Sequence, residues 1–180
     1  MPTALTSVTF RSGVEVIPNF TFKRCSALTE ITLPDTLKEI RMHAFSRCSA
    51  LKVIKLPDSL QIIGWGAFYE CTSLEEINIP SSVTLIKDFA FCDCTSLKEI
   101  TIPASVTLIK EIAFCDCSSL KSVIIKNPDC VIYDSGGTIS NCSEVVNGKR
   151  QFYFSGTIYG AAGSTAQAYA EKYGYRFECI

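Results

Sequence analysis

The chain has 180 residues, of which 47% are hydrophobic, and its 17 Lys and Arg against 18 Asp and Glu leave a formal net charge of -1. This length predicts one domain with a sizeable core. The balanced charge argues against the basic surface of a nucleic-acid-binding protein, and no apolar run approaches the roughly 18 residues of a membrane-spanning helix. We therefore expect neither a nucleic-acid partner nor membrane insertion.

The N-terminal segment, residues 1–5, reads MPTAL and has neither the charged start nor the apolar stretch of a secretory signal. We expect no signal peptide in the chain as given, and a chain whose signal had been removed would look the same. The first repeat begins directly at Leu5, with Arg11 where later repeats carry proline. We expect that either further repeats precede this unit or another chain covers it.

A repeat of 23 residues dominates the sequence from there to residue 126. Each unit reads L-x-x-I-x-(L/I)-P followed by x-x-(L/V)-x-x-I-x-x-x-A-F-x-x-C-x-x. The cysteines that close successive units are Cys25, Cys48, Cys71, Cys94 and Cys117. A fixed period of this length is typical of solenoid proteins, in which each unit buries its apolar side only by stacking on its neighbours.

Within one unit, two short extended segments are predicted. Ile31 and Leu33 alternate with Glu30 and Thr32, which is the period of a half-buried strand. Pro34 directly afterwards lacks a backbone donor and ends the strand. The second part of the unit is too short for a stable helix and rich in β-branched residues, which favours a second extended segment.

These residues resemble the BspA-like leucine-rich-repeat family, whose unit has the form LxxIxLPxxLxxIxxxAFxxCxx. The resemblance covers roughly residues 5–126. It implies a mainly β solenoid, a right-handed superhelix with a parallel sheet on the concave face and short strands on the convex face. It also implies a bacterial protein that is secreted or lies on the cell surface, and some members are adhesins for host matrix or for other cells.

The pattern loosens from residue 127, so we divide the chain into repeats (1–126) and a degenerate last repeat with a C-terminal cap (127–180). The sequence Ile139-Ser140-Asn141-Cys142 is a worn copy of the end of the unit, 25 residues after the last one. Residues 152–154 and 157–159 suggest a last strand. Ser164 and Gln167 form a capping box that predicts a helix from Thr165 to Tyr173, ended by Gly174. Residues 175–180 are predicted to return as a short edge segment.

The main-column cysteines are expected to be reduced, buried thiols, because side chains that stack in a ladder point the same way, which is poor geometry for a disulfide. Cys92 and Cys115 share a column with Lys23, Ser46 and Tyr69 that we expect to face solvent. Two unremarkable thiols, a Cys92–Cys115 disulfide and a zinc site with Cys94 and Cys117 remain as alternatives. Zinc is disfavoured, since inward and outward thiols cannot share one ion.

Catalytic candidates are few. His43 is the single histidine, and we expect it to fill the surface. No nucleophile can be assigned to it, and no phosphate-binding glycine motif occurs. We expect no catalytic residues, no cofactor and no metal.

Two surfaces are candidates for binding a partner. Outward columns on the predicted sheet hold Glu30, Val53, Glu76 and Glu99 in one row and Thr32, Lys55, Asn78 and Thr101 in the next. On the opposite side, one column holds Val16, Glu39, Ile62, Leu85 and Leu108, of which the last three form an apolar stripe. The columns could equally be a solvated face, and the stripe could be covered by its own neighbours.

The function that this pattern favours is a non-catalytic module that binds another protein. A homodimer through the stripe is the accompanying hypothesis. The alternatives are a structural spacer that carries a further domain and an enzyme that uses the irregular tail.

Overall fold

A computed structural model describes residues 4–180. Residues 1–3, part of the segment for which we expect no signal peptide, lie outside this range. The chain is a parallel-strand solenoid of about eight turns. The strands within the described range are β1 (Ser7–Thr9), β2 (Val16–Ile17), β3 (Glu30–Thr32), β4 (Glu39–Ile40), β5 (Val53–Lys55), β6 (Ile62–Ile63), β7 (Glu76–Asn78), β8 (Leu85–Ile86), β9 (Glu99–Ile102), β10 (Leu108–Ile109), β11 (Ser122–Ile125), β12 (Val131–Ile132), β13 (Cys142–Val146), β14 (Lys149–Tyr153), β15 (Thr157–Gly160) and β16 (Arg176–Cys179). The helix α1 spans Thr165–Tyr173.

The strands form two faces. The long-strand face contains β1, β3, β5, β7, β9, β11, β15 and β16, and the short-strand face contains β2, β4, β6, β8, β10 and β12. Paired residues on both faces are 23 apart through the repeats, as in Ser7 with Glu30 and Leu85 with Leu108. The predicted solenoid with two extended segments per unit is therefore confirmed.

The two faces differ in continuity. The short-strand face is one six-stranded parallel sheet. The long-strand face is divided into three hydrogen-bonded groups, β1 with β3, β5 with β7, and β9 with β11, β15 and β16. Two seams, between β3 and β5 and between β7 and β9, thus interrupt the long-strand face.

Alternation of side chains places the core between the faces. Ile54 is buried while its neighbours Val53 and Lys55 are exposed, and the same pattern recurs in β7. On the short-strand face, the second residue of each strand through the repeats is fully buried, as Ile63 and Ile86 illustrate. The core is therefore a set of columns, each built from equivalent residues of successive turns.

The chain returns from each short strand to the next long strand through a turn-rich segment. These segments, residues 18–29, 41–52, 64–75, 87–98 and 110–121, form the turn face. Here the phenylalanines of the repeat stack, with ring centroids 5.2–5.3 Å apart from Phe22 to Phe114. Beside them, each main-column thiol after the first donates a hydrogen bond to the carbonyl of the phenylalanine 26 residues earlier, such as Cys71 Sγ to Phe45 O at 3.1 Å.

The C-terminal segment continues the solenoid and closes it. Ile139 bridges to Phe114, so it replaces the repeat phenylalanine as expected. The capping box holds: Ser164 Oγ accepts from the backbone N–H of Gln167, and Gly174 ends the helix in the left-handed conformation. The edge segment is β16, paired with β15.

One expectation for this segment is wrong. The chain leaves the solenoid at the exposed Cys142 and enters an antiparallel hairpin of β13 and β14. That hairpin takes up residues 152 and 153, which the sequence pattern assigns to the last strand. Asn147-Gly148, with positive φ at both residues, makes its tight turn and was the available sequence signal.

Candidate binding surfaces

The long-strand face presents the two predicted columns outward. Seven of the eight side chains are exposed, and Thr101 is half-buried. Their strands pair in register within each group, so Val53 adjoins Glu76, and Lys55 adjoins Asn78. Val53 is unusual because 57% of an apolar side chain is exposed here. The structure therefore brings the eight residues onto one surface.

A shallow depression of about 220 Å³ lies on this face, across the seam between β7 and β9. It is lined by Glu76, Ile77, Asn78, Glu99 and Thr101. In the column of residues beside it, the charge of Glu75 is neutralised, since Lys98 Nζ lies 3.3 Å from one of its carboxylate oxygens. The depression itself is acidic.

The apolar stripe lies on the short-strand face. Ile62, Leu85 and Leu108 are half-buried, because each packs against the equivalent residue of the next turn. The same column continues to Val131, which pairs with Leu108 and is 57% exposed. Sequence reasoning missed Val131 because the motif loosens after residue 126, although the step of 23 residues reaches it.

The cysteines differ from expectation in one column. Cys92 and Cys115 are buried instead of facing solvent. Ser46 in the same column is buried too, so a short side chain at this position does not reach solvent. Longer side chains at this position, Lys23 for example, reach outward and are only half-buried.

All ten cysteines are free thiols, with Cys130 buried and Cys142 and Cys179 exposed. A hydrogen bond with Cys115, followed by burial, raises the pKa of Cys92. Burial also raises the pKa of Cys48 to about 12 and holds those of Cys71 and Cys94 well above the ordinary value of 9.0. Such thiols stay protonated and are poor nucleophiles and poor metal ligands. Residues 4–180 contain no group of three or more His, Cys, Asp or Glu arranged for a metal ion.

His43 does not simply fill the surface. Its half-buried ring stacks on Phe20 at 5.6 Å and meets Trp65 edge-on at 4.6 Å. Burial, and then the positive charge of Lys23, lower the pKa of His43 below its ordinary value of 6.5. The ring belongs to a cavity on the turn face that we call the turn pocket, lined by Lys23, Arg24, His43, Ser46, Arg47, Trp65, Tyr69 and Phe89. The sequence pattern does not predict the turn pocket, although Trp65 and Gly66 both depart from the repeat.

The irregular tail uses its polar groups to hold the cap together. Ser164 caps the helix, and the buried Tyr169 donates from its hydroxyl to Ser135 O at 2.8 Å and accepts from Ile139 N.

Within the described range, no helix has the length and hydropathy to cross a bilayer.

Comparison with known proteins identifies the repeat. A family model described as BspA type leucine rich repeat region matches residues 1–121 in six copies. No curated protein has significant sequence similarity to the chain.

Solved bacterial structures have the same architecture. The leucine-rich-repeat protein TpLRR of T. pallidum is 28% identical, with a TM-score of 0.69 over 98% of this chain and 73% of that one. A leucine-rich-repeat protein from Bacteroides ovatus ATCC 8483 is 26% identical, with a TM-score of 0.63 over 98% of this chain and 52% of that one. The pneumococcal vaccine antigen PcpA is similar in fold, with a TM-score of 0.70 at 18% identity, over 97% of this chain and 41% of that one.

The family model thus covers more than half of the sequence, and its repeat has the period of the strand pairing. The chain belongs to the BspA-type leucine-rich-repeat family.

Proposed function

We propose that this chain is a non-catalytic binding module of a bacterial surface or secreted protein and that it recognises another protein through its long-strand face. Family membership supports a repeat that serves as a scaffold, because leucine-rich repeats generally mediate contacts between proteins. The polar groups of the tail take part in holding the cap, which supports a non-catalytic role. The surface or secreted location rests on the family resemblance.

One observation carries the choice of face. Glu30, Lys55, Glu76 and Glu99 are exposed, and none of the ion pairs within residues 4–180 includes them. If this face were only solvated, we would expect positive and negative side chains on adjacent turns to pair and neutralise one another. Charges without an ion-pair partner on this face are available to a partner of complementary charge and set which partner fits.

The acidic depression narrows the chemistry of that partner. Glu76 and Glu99 flank a cavity too small for a folded element but large enough for one long side chain. A Lys or Arg of the partner would place its charge between the two carboxylates, and arginine can bind a carboxylate through two hydrogen bonds. We therefore expect the partner to present a basic residue here.

Surface plasmon resonance tests this function. The chain is immobilised and exposed to purified extracellular-matrix proteins and bacterial surface proteins, with serum albumin as the negative control. We expect micromolar or tighter binding of at least one protein, weakened at least tenfold by Glu76→Lys with Glu99→Lys, because reversed charges repel the basic residue.

The control variant is Asp35→Lys with Asp58→Lys, which changes the net charge equally at exposed positions outside the two columns. It should bind as the unaltered chain does. Absence of specific binding across the panel would favour the spacer instead, and equal weakening by both variants would place the site elsewhere.

A further inference from the structure

The turn face departs from the repeat at one turn. The position occupied by Phe20, His43, Phe89 and Ile112 in other turns carries glycine at Gly66. A Cβ at Gly66 would stand 2.7 Å from His43 Nδ1, so the missing side chain is what leaves room for the imidazole ring. The residue before it is Trp65, whereas the other turns have Asn, Met, Asp and Glu there.

These substitutions open the turn pocket. Its volume is about 310 Å³, near the lower end of the range for small-molecule sites. Trp65 stands 4.6 Å from the His43 ring on one side and 5.0 Å from the Phe89 ring on the other, measured between centroids. The pocket therefore has aromatic walls, and Trp65 is 37% exposed at its edge.

One polar atom in the wall has no partner. Ser46 is 1% exposed, and its Oγ makes no hydrogen bond in the described part of the chain. An unpartnered buried hydroxyl is costly because its lost hydration is not replaced, so native proteins seldom keep one without a reason. A hydroxyl-bearing ligand suits Ser46, because a hydroxyl can donate and accept.

Positively charged side chains line the turn pocket. Arg47 is held by Glu70 at 2.8 Å, and Lys23 lies 4.9 Å from the centroid of the Phe20 ring. Arg24 takes part in no ion pair within residues 4–180. With three cationic side chains and no carboxylate in its lining, the pocket favours an anionic group.

We propose that the turn pocket is a binding site for an acidic sugar, a pyranose ring that carries a carboxylate or sulfate group. The C–H face of the ring packs on Trp65 and its aromatic neighbours, whose π faces are electron-rich. A ring hydroxyl bonds to Ser46 Oγ, and the acidic substituent pairs with Arg24 and Lys23. This site is separate from the long-strand face and does not depend on the function proposed for it.

Trp65 is the single tryptophan of the chain, so its fluorescence reports directly on the pocket. The probe is a sulfated disaccharide that contains a hexuronic acid, with calorimetry as a second readout. We expect saturable quenching or a spectral shift with this probe. An uncharged disaccharide of the same size and inorganic sulfate, which supply the ring and the anion separately, should bind at least tenfold more weakly.

Two variants test the assigned contacts. Ser46→Ala should weaken binding about fivefold, as expected for one hydrogen bond, without lowering the melting temperature, because the hydroxyl has no partner in the unliganded chain. The matched control is Ser140→Ala, since Ser140 is also buried but its Oγ accepts from Asp116 N at 3.2 Å. That control should lower the melting temperature and leave binding unchanged.

Arg24→Gln should weaken binding of the acidic probe, whereas Arg11→Gln, an equal loss of charge at an exposed position outside the pocket, should not. The proposal is overturned if the acidic disaccharide gives neither a fluorescence change nor heat at millimolar concentration. It is also overturned if inorganic sulfate or the uncharged disaccharide binds as tightly, or if Ser46→Ala and Arg24→Gln both bind unchanged.

Discussion

Left-handed backbone recurs at two positions of each turn segment, mostly without glycine. Phe20, His43, Phe89 and Ile112 have φ of 53–63°, and a second set four residues later includes Arg24 and Asp93. This conformation costs a non-glycine residue about 1–2 kcal/mol. The cost is tolerated because the neighbouring turns fix the backbone, as in the hydrogen bond from Phe45 N to Ala67 O.

Gly66→Ala tests the fit of this corner. The variant should lose about 2–4 kcal/mol of unfolding free energy, because it adds the left-handed cost to a contact of 2.7 Å with His43. Gly148→Ala is the control, since its φ is also positive but no atom lies within 4 Å of the added Cβ. Urea denaturation measures both, and equal losses would show that His43 does not fill the space beside Gly66.

At the scale of the element, each turn segment is held by two ladders. The phenylalanine rings are nearly parallel from Phe45 to Phe114, with interplanar angles of 3–6°. Each cysteine of the next ladder after Cys25 gives a thiol hydrogen bond to a phenylalanine carbonyl, so these thiols are satisfied without disulfides or metal. This explains why the position carries cysteine, because it needs a small apolar side chain that can still donate a hydrogen bond.

The cysteine ladder should make stability fall at alkaline pH. The thiols of the unfolded chain ionise with a pKa near 9.0, whereas burial raises the pKa of the folded chain's thiols and keeps them protonated. Above pH 9 the unfolded state therefore binds fewer protons than the folded state, and it is stabilised relative to the folded state. The contribution of each buried thiol is intact below pH 9 and lost progressively above it. At pH 10 each costs roughly 1.4 kcal/mol.

Urea unfolding at pH 7.5 and pH 10, with reductant present, measures this loss. Cys71→Ala should lose less between the two pH values than the unaltered chain, and Cys179→Ala, at an exposed position, should behave as the unaltered chain does. Thiol counting with Ellman's reagent complements the measurement: Cys25, Cys48, Cys71, Cys94 and Cys117 should react only in denaturant. Rapid labelling of the native column would contradict its burial.

Much of the element structure was predictable because one physical rule repeats. Each Ile-x-Leu-Pro sequence defines a strand phase and its end, and Ser164 with Gly174 marks both ends of the helix. The hairpin and the burial of Cys92 were not predictable from the repeat rule, since one is an insertion and the other follows from how adjacent turns cover each other. The columns of the long-strand face could be placed by period alone, whereas the turn pocket required knowing where Trp65 points.

For the whole molecule, the apolar stripe remains the candidate surface for self-association. Ile62, Leu85 and Leu108 are half-buried in the single chain, and Val131 extends them as a more exposed end. Fully burying one such side chain stabilises a complex by roughly 1.5–3 kcal/mol. The gain is smaller here because part of each side chain is already covered, and association also has an entropic cost. A weak homodimer or a larger partner is the consistent expectation.

Leu85→Glu with Leu108→Lys tests the stripe. The variant should keep its fold, because the inward neighbours Ile86 and Ile109 are untouched and fully buried, and it should abolish any dimer detected by light scattering. Val145→Glu, an exposed apolar position on the hairpin, is the control and should leave the mass unchanged. A much lower melting temperature of the double variant would place the leucines in the core.

The seams of the long-strand face give the molecule an uneven stiffness. The unbroken short-strand sheet acts as a spine of fixed length, while on the opposite side the strand pairing is interrupted at two places. Bending of the rod therefore concentrates at the two joints, beside Val53 and between Glu76 and Glu99. A docking partner can thus open or close the face locally without breaking a strand-pairing hydrogen bond of that face, which makes the curvature adjustable at the place where the free charges lie.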